Sequence, residues 1–142
     1  MNPLINRQEI IRYIPQRTPI IMVDEVLTYE EAEITTNFEI REENLFILNG
    51  RMTESGLIEN IAQTAAAKAG YTCHLKQVPV PLGFIGAVSK VQVHGLPPLG
   101  SRIETQVTIK NDVMGVTIVS GRSELDGELL IECEMKIIIQ QD

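Results

Sequence analysis

Two polar side chains in the middle of the chain, Glu59 and Gln63, have the types and spacing that acid–base chemistry needs. They lie in segment 54–70, which has no proline, is rich in alanine and predicts a helix capped by Ser55 and ended by Gly70. Residues four apart share one flank of a helix, so the carboxyl and the amide are expected to be neighbours. A carboxyl half-buried beside an apolar face can serve as a proton donor. The alternative is a solvated carboxylate, which the helix dipole favours near a helix start without any function.

Other chemistry-bearing residues are few. The two histidines are His74, which follows Cys73, and His94; without a second spaced ligand pair they predict no metal site. Arg51 cannot act as a base because it stays protonated, but it could hold an anionic group such as a carboxylate; a solvated arginine is the alternative. No glycine-rich phosphate loop, nucleophile elbow or nucleotide fingerprint occurs, so no cofactor is predicted. Cys73 and Cys133 are expected to be free thiols in a reducing cytoplasm.

The composition is typical of a soluble globular protein. The chain has 142 residues, 12 Lys+Arg against 19 Asp+Glu, a formal net charge of −7 and 44% hydrophobic residues. An acidic chain with scattered basic residues is a poor partner for nucleic acid, and no apolar run approaches the roughly 20 residues that span a membrane. The N-terminal residues lack a basic start followed by an apolar stretch, so no secretory signal is predicted and a cytoplasmic location is expected.

The pattern of apolar residues and turns predicts a single α+β domain over residues 1–142. Asn6 is expected to cap a short helix over 7–13, and strands are predicted over 20–27, 32–40, 82–93, 102–110, 115–125 and 128–140. The apolar arc of the central helix is predicted to comprise Leu57, Ile58, Ile61, Ala62, Ala65, Ala66 and Ala69. An antiparallel sheet this long, with one substantial helix, is expected to wrap around that helix. Such long strands also favour edge-to-edge pairing with a second copy, in a homodimer or higher homo-oligomer.

Three stretches, in the right order, resemble the 3-hydroxyacyl-acyl-carrier-protein dehydratases of the hot-dog fold (the FabZ type). Where the family has Leu-Pro-His-Arg-x-Pro and then Val-Asp-Arg-Val, this chain has Ile14-Pro15-Gln16-Arg17-Thr18-Pro19 and then Val23-Asp24-Glu25-Val26. Segment 56–63 matches the family's central helix at its Glu and Gln positions, which are Glu59 and Gln63 here. Segment 83–93, followed by 98–101, resembles a family strand and the turn after it. The resemblance implies a hot-dog fold, in which an antiparallel sheet wraps around a long central helix.

The resemblance also implies a function: a dehydratase-like protein, a lyase, that binds acyl thioesters in fatty-acid or related acyl-chain biosynthesis. Its substrate would be carried by acyl carrier protein or by CoA. In the family's arrangement Glu59 would protonate the leaving hydroxyl, and Gln63 would orient the Glu59 side chain. The backbone N–H groups of Gly56 and Leu57, near the helix start, would lie close to the thioester oxygen, because helix N-termini stabilise negative charge.

The resemblance ends at the catalytic histidine. The family carries it in a Gly-His-Phe-Pro-Gly loop just before the central helix, whereas segment 45–54 here is shorter, contains no histidine and offers Asn49 and Arg51 as candidate substrate contacts. Gln16 stands where the family has a second histidine. Besides dehydration, two other functions therefore stay open. One is a thioesterase that activates water with Glu59, and the other is a non-catalytic subunit that pairs with a histidine-bearing hot-dog paralogue.

Overall fold

The computed structural model describes residues 2–140, which form one six-stranded antiparallel sheet, a two-stranded hairpin and one long helix. A short 3-10 turn over Ile10–Arg12 precedes them. The elements are β1 (Glu25–Tyr29), β2 (Glu33–Glu39), β3 (Ile47–Leu48), β4 (Arg51–Met52), α1 (Glu54–Lys76), β5 (Gly83–Val93), β6 (Arg102–Val113), β7 (Val116–Leu125) and β8 (Glu128–Ile139). The large sheet has the order β1-β2-β6-β7-β8-β5, and α1 packs against β2, β6 and β7. The predicted α+β arrangement is therefore confirmed.

The central helix is longer than its sequence pattern predicts. Its N-cap is Thr53 rather than Ser55, with the Thr53 hydroxyl accepting from the Gly56 N–H at 3.3 Å, and it runs past Gly70 to Lys76. Gly70 does not end the helix, because it is needed for a close approach. A methyl group there would overlap the backbone carbonyl of Tyr13, in the N-terminal segment. The helix ends instead at Gln77, which adopts the left-handed conformation common at helix C-termini.

The buried face of α1 is more polar than the predicted apolar arc. Leu57, Ile61 and Ala65 are buried as predicted, but Ala69 is exposed. Four polar residues are buried in the arc's place, namely Asn60, Gln63, Thr64 and Lys68. Each has a hydrogen-bond partner outside the helix, as buried polar groups require. The helix therefore packs on the sheet through a polar network as well as through apolar contacts.

The N-terminal quarter of the chain forms less regular structure than predicted. The predicted helix over 7–13 is only the 3-10 turn, although the Asn6 side chain does accept from the Glu9 N–H at 3.0 Å. The predicted strand over 20–27 begins only at Glu25. Residues 20–24 form no regular strand. They are held mainly by the side chains of Asn60 and Gln63 on α1, and the Asp24 N–H donates to the Asn37 carbonyl of β2 at 2.9 Å.

The two edges of the large sheet differ in how they are covered. At β1, Val26 exchanges main-chain hydrogen bonds with the N-terminal segment, donating to the Ile5 carbonyl at 3.0 Å and accepting from the Leu4 N–H at 2.9 Å. At the opposite edge all eleven residues of β5 are exposed, including Phe84 (53%), Ile85 (44%) and Val91 (43%). Within residues 2–140, the outer edge of β5 has no strand partner. Because α1 does not cover β5, the apolar side chains of β5 are also exposed. Exposed apolar edges of this kind mark interaction sites.

Candidate active site

Glu59 lies on the second turn of α1 and is partly buried. Its Oε2 atom accepts a hydrogen bond of 2.8 Å from Nε2 of Gln63. Within residues 2–140 no other hydrogen bond and no salt bridge engages the carboxylate. The structure thus brings the two residues together as their spacing predicts, and it leaves Oε1 of Glu59 available to a ligand.

Gln63 is fully buried and is fixed by three hydrogen bonds. Its Oε1 accepts from the Met22 N–H at 2.6 Å, and its Nε2 donates to the Ile20 carbonyl at 2.8 Å as well as to Glu59. Both ends of the amide are therefore committed, which fixes the side-chain orientation. Gln63 in this way connects Glu59 to segment 20–24.

Asn60 is a supporting residue that the sequence analysis missed. It is fully buried, donates to the Met22 carbonyl at 2.7 Å and accepts from the Thr105 hydroxyl at 2.6 Å. Thr105 in turn shares a hydrogen bond of 2.8 Å with Ser123, so the network joins α1 to β6 and β7. The signal in the sequence was an asparagine adjacent to Glu59 in an alanine-rich helix, where asparagine has a poor propensity.

The helix start is occupied by its own cap. The Gly56 N–H donates to the Thr53 hydroxyl, and the Leu57 N–H donates to the Thr53 carbonyl at 3.1 Å. Leu57 is fully buried and Gly56 packs against Phe46 and Met52. A thioester oxygen approaching these two N–H groups would have to compete with Thr53 for them.

A tight hairpin stands where the resembling family has its histidine loop. Strands β3 and β4 pair around Asn49 (φ 54°) and Gly50 (φ 76°), a two-residue turn whose central residues both have positive φ. Asn49 is exposed at the tip, and Arg51 donates from Nη1 to the Leu96 carbonyl at 2.7 Å. The segment predicted as a loop is therefore a small β-structure tied to the connection after β5, and it contains no base.

His74 is not placed to act with Glu59 inside one chain, and His94 makes no hydrogen bond to Glu59 within residues 2–140. His74 is fifteen residues further along α1, about 22 Å along the axis at 1.5 Å per residue, and stacks on Tyr71. His94 is exposed just after β5. Burial raises the pKa of the Cys133 thiol to about 11, with Glu134 adding to the effect, so this thiol is a poor nucleophile at neutral pH.

The aspartate of the first family-like stretch has a structural position. Asp24 is buried and accepts from both terminal nitrogens of Arg41, at 3.1 and 2.8 Å, and from the Glu39 N–H at 2.9 Å. Burial opposes the charge of Arg41, but hydrogen bonding and attraction to Asp24 outweigh it and raise the pKa of Arg41. A cleft of about 280 Å³ opens beside this pair and is not lined by Glu59.

The described residues contain no helix long and apolar enough to cross a membrane. They also contain no cluster of three His, Cys, Asp or Glu side chains that could hold a metal ion.

The comparisons give the class that the sequence motifs predict, that of the FabZ-like dehydratases with the hot-dog fold. Residues 8–142 match the ApeP-like family model, described as ApeP dehydratase. The chain therefore belongs to the ApeP-like dehydratase family.

Curated relatives agree with this assignment. The chain is 25% identical over 134 residues to the 3-hydroxyacyl-acyl-carrier-protein dehydratase FabZ of Shewanella frigidimarina, covering 90% of this chain and 88% of that protein. It is 28% identical over 137 residues to the FabZ of a Janthinobacterium species, covering 89% and 85%.

Solved structures share the fold at low sequence identity. A chain of the dehydratase heterocomplex ApeI:P from Xenorhabdus doucetiae superposes with a TM-score of 0.86 at 15% identity, covering 100% of this chain and 93% of that one. A hypothetical thioesterase with coenzyme A from Streptococcus pneumoniae superposes with a TM-score of 0.68 at 7% identity, covering 83% and 86%. These likenesses confirm the hot-dog fold.

Proposed function

We propose that this chain is the subunit of a mixed hot-dog dehydratase that lacks the catalytic histidine, so that it supplies Glu59 and a partner chain with that histidine supplies the base. The substrate would be a 3-hydroxyacyl thioester of acyl-chain biosynthesis. One observation carries the proposal: Glu59 is held in place by Gln63 with one oxygen uncommitted, while the hairpin before the helix offers no base. The chain thus presents half of an acid–base pair.

Dehydration divides naturally between two such groups. A base takes the proton from the carbon next to the thioester carbonyl, and the electron pair of that C–H bond becomes the C=C bond as the C–O bond breaks. The hydroxyl leaves as water with the proton of Glu59, which is restored from solvent. Acid–base catalysis of this kind requires each group to lie within hydrogen-bond reach of the proton that it moves, so the acid and the base can come from separate chains.

The bare edge at β5 supports pairing with a second hot-dog chain. A partner must satisfy the unpaired main chain of β5 and also cover apolar side chains such as Phe84 and Val91. A sheet edge does the first and a packed helix or loop does the second, so a second chain of the same fold suits both needs. The dehydratase heterocomplex named for the Xenorhabdus relative is a precedent for mixed pairing.

The proposal is tested by reconstitution. The chain is purified alone and co-expressed with a histidine-bearing hot-dog chain of the same organism, and each preparation is given 3-hydroxyacyl-CoA. Enoyl absorbance is expected from the mixed complex and not from the chain alone. Enoyl product from the chain alone would overturn the subunit role, and release of free thiol in place of enoyl product would favour the thioesterase alternative.

Val88→Lys is expected to weaken the mixed complex at least about tenfold, because pairing at β5 would bury the introduced charge. Val88 is 37% exposed in the isolated chain, so the melting temperature of the variant chain alone should equal that of the parent chain. Affinity is measured by titration calorimetry. The control is Leu4→Lys, since Leu4 is 47% exposed at the opposite, β1 edge of the sheet. Equal affinity for both variants and the parent chain would place the interface elsewhere.

A further inference from the structure

Arg17 is an arginine in an acidic chain that has no carboxylate partner within residues 2–140. Its guanidinium is held by main-chain contacts, because Nη1 donates to the carbonyls of Ile14 and Gln16, both at 2.8 Å. These two bonds use the protons of Nη1 only. The opposite edge of the group, formed by Nε and Nη2, stays exposed as a planar two-donor fork.

The position of Arg17 connects it to the candidate active site. The Ile20 N–H donates to the Arg17 carbonyl at 2.9 Å and closes a turn. The carbonyl of Ile20 accepts from Gln63, which also holds Glu59. Arg17 is therefore the exposed end of the turn that the Glu59–Gln63 pair secures.

A second observation at the same turn concerns Gln16. Its side-chain oxygen Oε1 is buried and has no hydrogen-bond partner within residues 2–140. A buried acceptor without a partner is destabilising, and rotation of the amide toward an incoming N–H donor would give it one. Adjacent residues thus offer a two-donor fork for an anion and an unsatisfied acceptor for an N–H group.

We infer that this turn, 16–20, holds the phosphopantetheine arm of the substrate, with the exposed edge of Arg17 bound to its phosphate. This inference rests on the proposed function, because it assumes that an acyl thioester reaches Glu59. Phosphopantetheine combines a phosphate with amide N–H groups on a flexible chain. The phosphate matches the exposed donors of Arg17, and an amide N–H matches the unpaired acceptor of Gln16. Guanidinium groups bind phosphate through two parallel charge-assisted hydrogen bonds.

The test uses binding without turnover. 4′-Phosphopantetheine and pantetheine are titrated into the full-length chain and into the mixed complex, and the ratio of the two affinities is measured. The phosphorylated compound is expected to bind about tenfold more tightly, as one charge-assisted pair predicts. Arg17→Gln should abolish the preference. Pantetheine is the internal reference, so general damage to the turn would weaken both compounds and leave the ratio unchanged.

Two arginine variants serve as comparisons. Arg12→Gln should keep the preference, because Arg12 is 71% exposed on the N-terminal segment and pairs only with Glu9. Arg51→Gln tests the rival anion contact at the hairpin. Loss of the preference in Arg51→Gln but not in Arg17→Gln, absence of a preference in the parent chain, or no binding to either preparation would each overturn the inference.

Steady-state kinetics distinguish CoA from acyl carrier protein as the carrier. They also separate the failure of this inference from the failure of the proposed function. In an active complex, Arg17→Gln should raise KM for both 3-hydroxyacyl-CoA and the acyl carrier protein substrate and leave kcat unchanged. A KM effect confined to CoA would assign Arg17 to the nucleotide phosphates and overturn the inference. If no complex turns over but the binding preference still depends on Arg17, the proposed function fails and the inference stands.

Discussion

Glu59→Gln is expected to lower kcat for dehydration by the mixed complex by about 10²- to 10⁴-fold, the usual contribution of a positioned acid or base. Glutamine keeps the size of the side chain and its contact with Gln63, but it cannot deliver a proton to the leaving hydroxyl. The measurement is the rate of enoyl absorbance at saturating substrate. Because the change lies away from the β5 edge, the affinity between the two chains should stay the same.

Glu54→Gln is the matched control for this prediction. Glu54 is an exposed acid in the first turn of the same helix, so its replacement removes the same charge near the helix N-terminus. An unchanged rate is expected for this variant. If Glu59→Gln retains the full rate, Glu59 is not the proton donor. If both variants lose rate equally, the loss is due to the charge at the helix start and not to proton transfer by Glu59.

Gly70→Ala is expected to destabilise the chain by about 1–3 kcal/mol, the usual range for overpacking a closely packed site. Intrinsic helix propensity predicts the opposite sign, since alanine is favoured over glycine inside a helix by about 1 kcal/mol. The clash with the Tyr13 carbonyl should outweigh it, because backbone cannot move aside as a flexible side chain can. Urea unfolding at fixed protein concentration measures the free energy.

Gly95→Ala provides the comparison for this effect. A methyl group at Gly95 would lie 3.6 Å from a Leu130 side-chain carbon, an ordinary van der Waals distance. Its free energy of unfolding should stay within about 0.5 kcal/mol of the parent chain, as for most uncrowded surface changes. Stabilisation by Gly70→Ala would show that the N-terminal segment does not pack on the helix as described.

Local sequence patterns predicted most of the sheet. The predicted strands 32–40, 82–93, 102–110, 115–125 and 128–140 match β2 and β5 to β8 to within three residues at each end. The Asp126–Gly127 turn has positive φ at both residues, as a two-residue hairpin needs. Such features depend on neighbours in the chain, and sequence alone therefore specifies them.

Features that depend on distant contacts were not predictable in this way. Gly70 has the residue type of a helix end, and only the approach of Tyr13 explains why the helix continues. Segment 20–24 has strand composition, but its hydrogen bonds go to Gln63 and Asn60, some forty residues away. A local pattern carries no information about such partners.

The same difference between local features and distant contacts applies to the candidate site. The spacing of Glu59 and Gln63 was enough to predict their contact, because both lie on one helix. The tight hairpin at Asn49 was not predicted, although Asn-Gly is a strong turn signal, because its two strands have only two residues each and little sequence pattern of their own. The buried acceptor of Gln16 and the free fork of Arg17 depend on three-dimensional packing and could not be inferred from residue types.

The unequal edges of the sheet have a consequence for assembly size. Leu4 and Ile5 cover the outer edge of β1 at Val26, whereas β5 has no strand partner on its outer edge within residues 2–140, so strand addition is favoured at β5. A chain with one open sheet edge can pair with one other sheet and forms a finite assembly. A chain with two open edges could polymerise into a filament. Deleting the first five residues should therefore convert a finite pair into a species prone to fibrous growth.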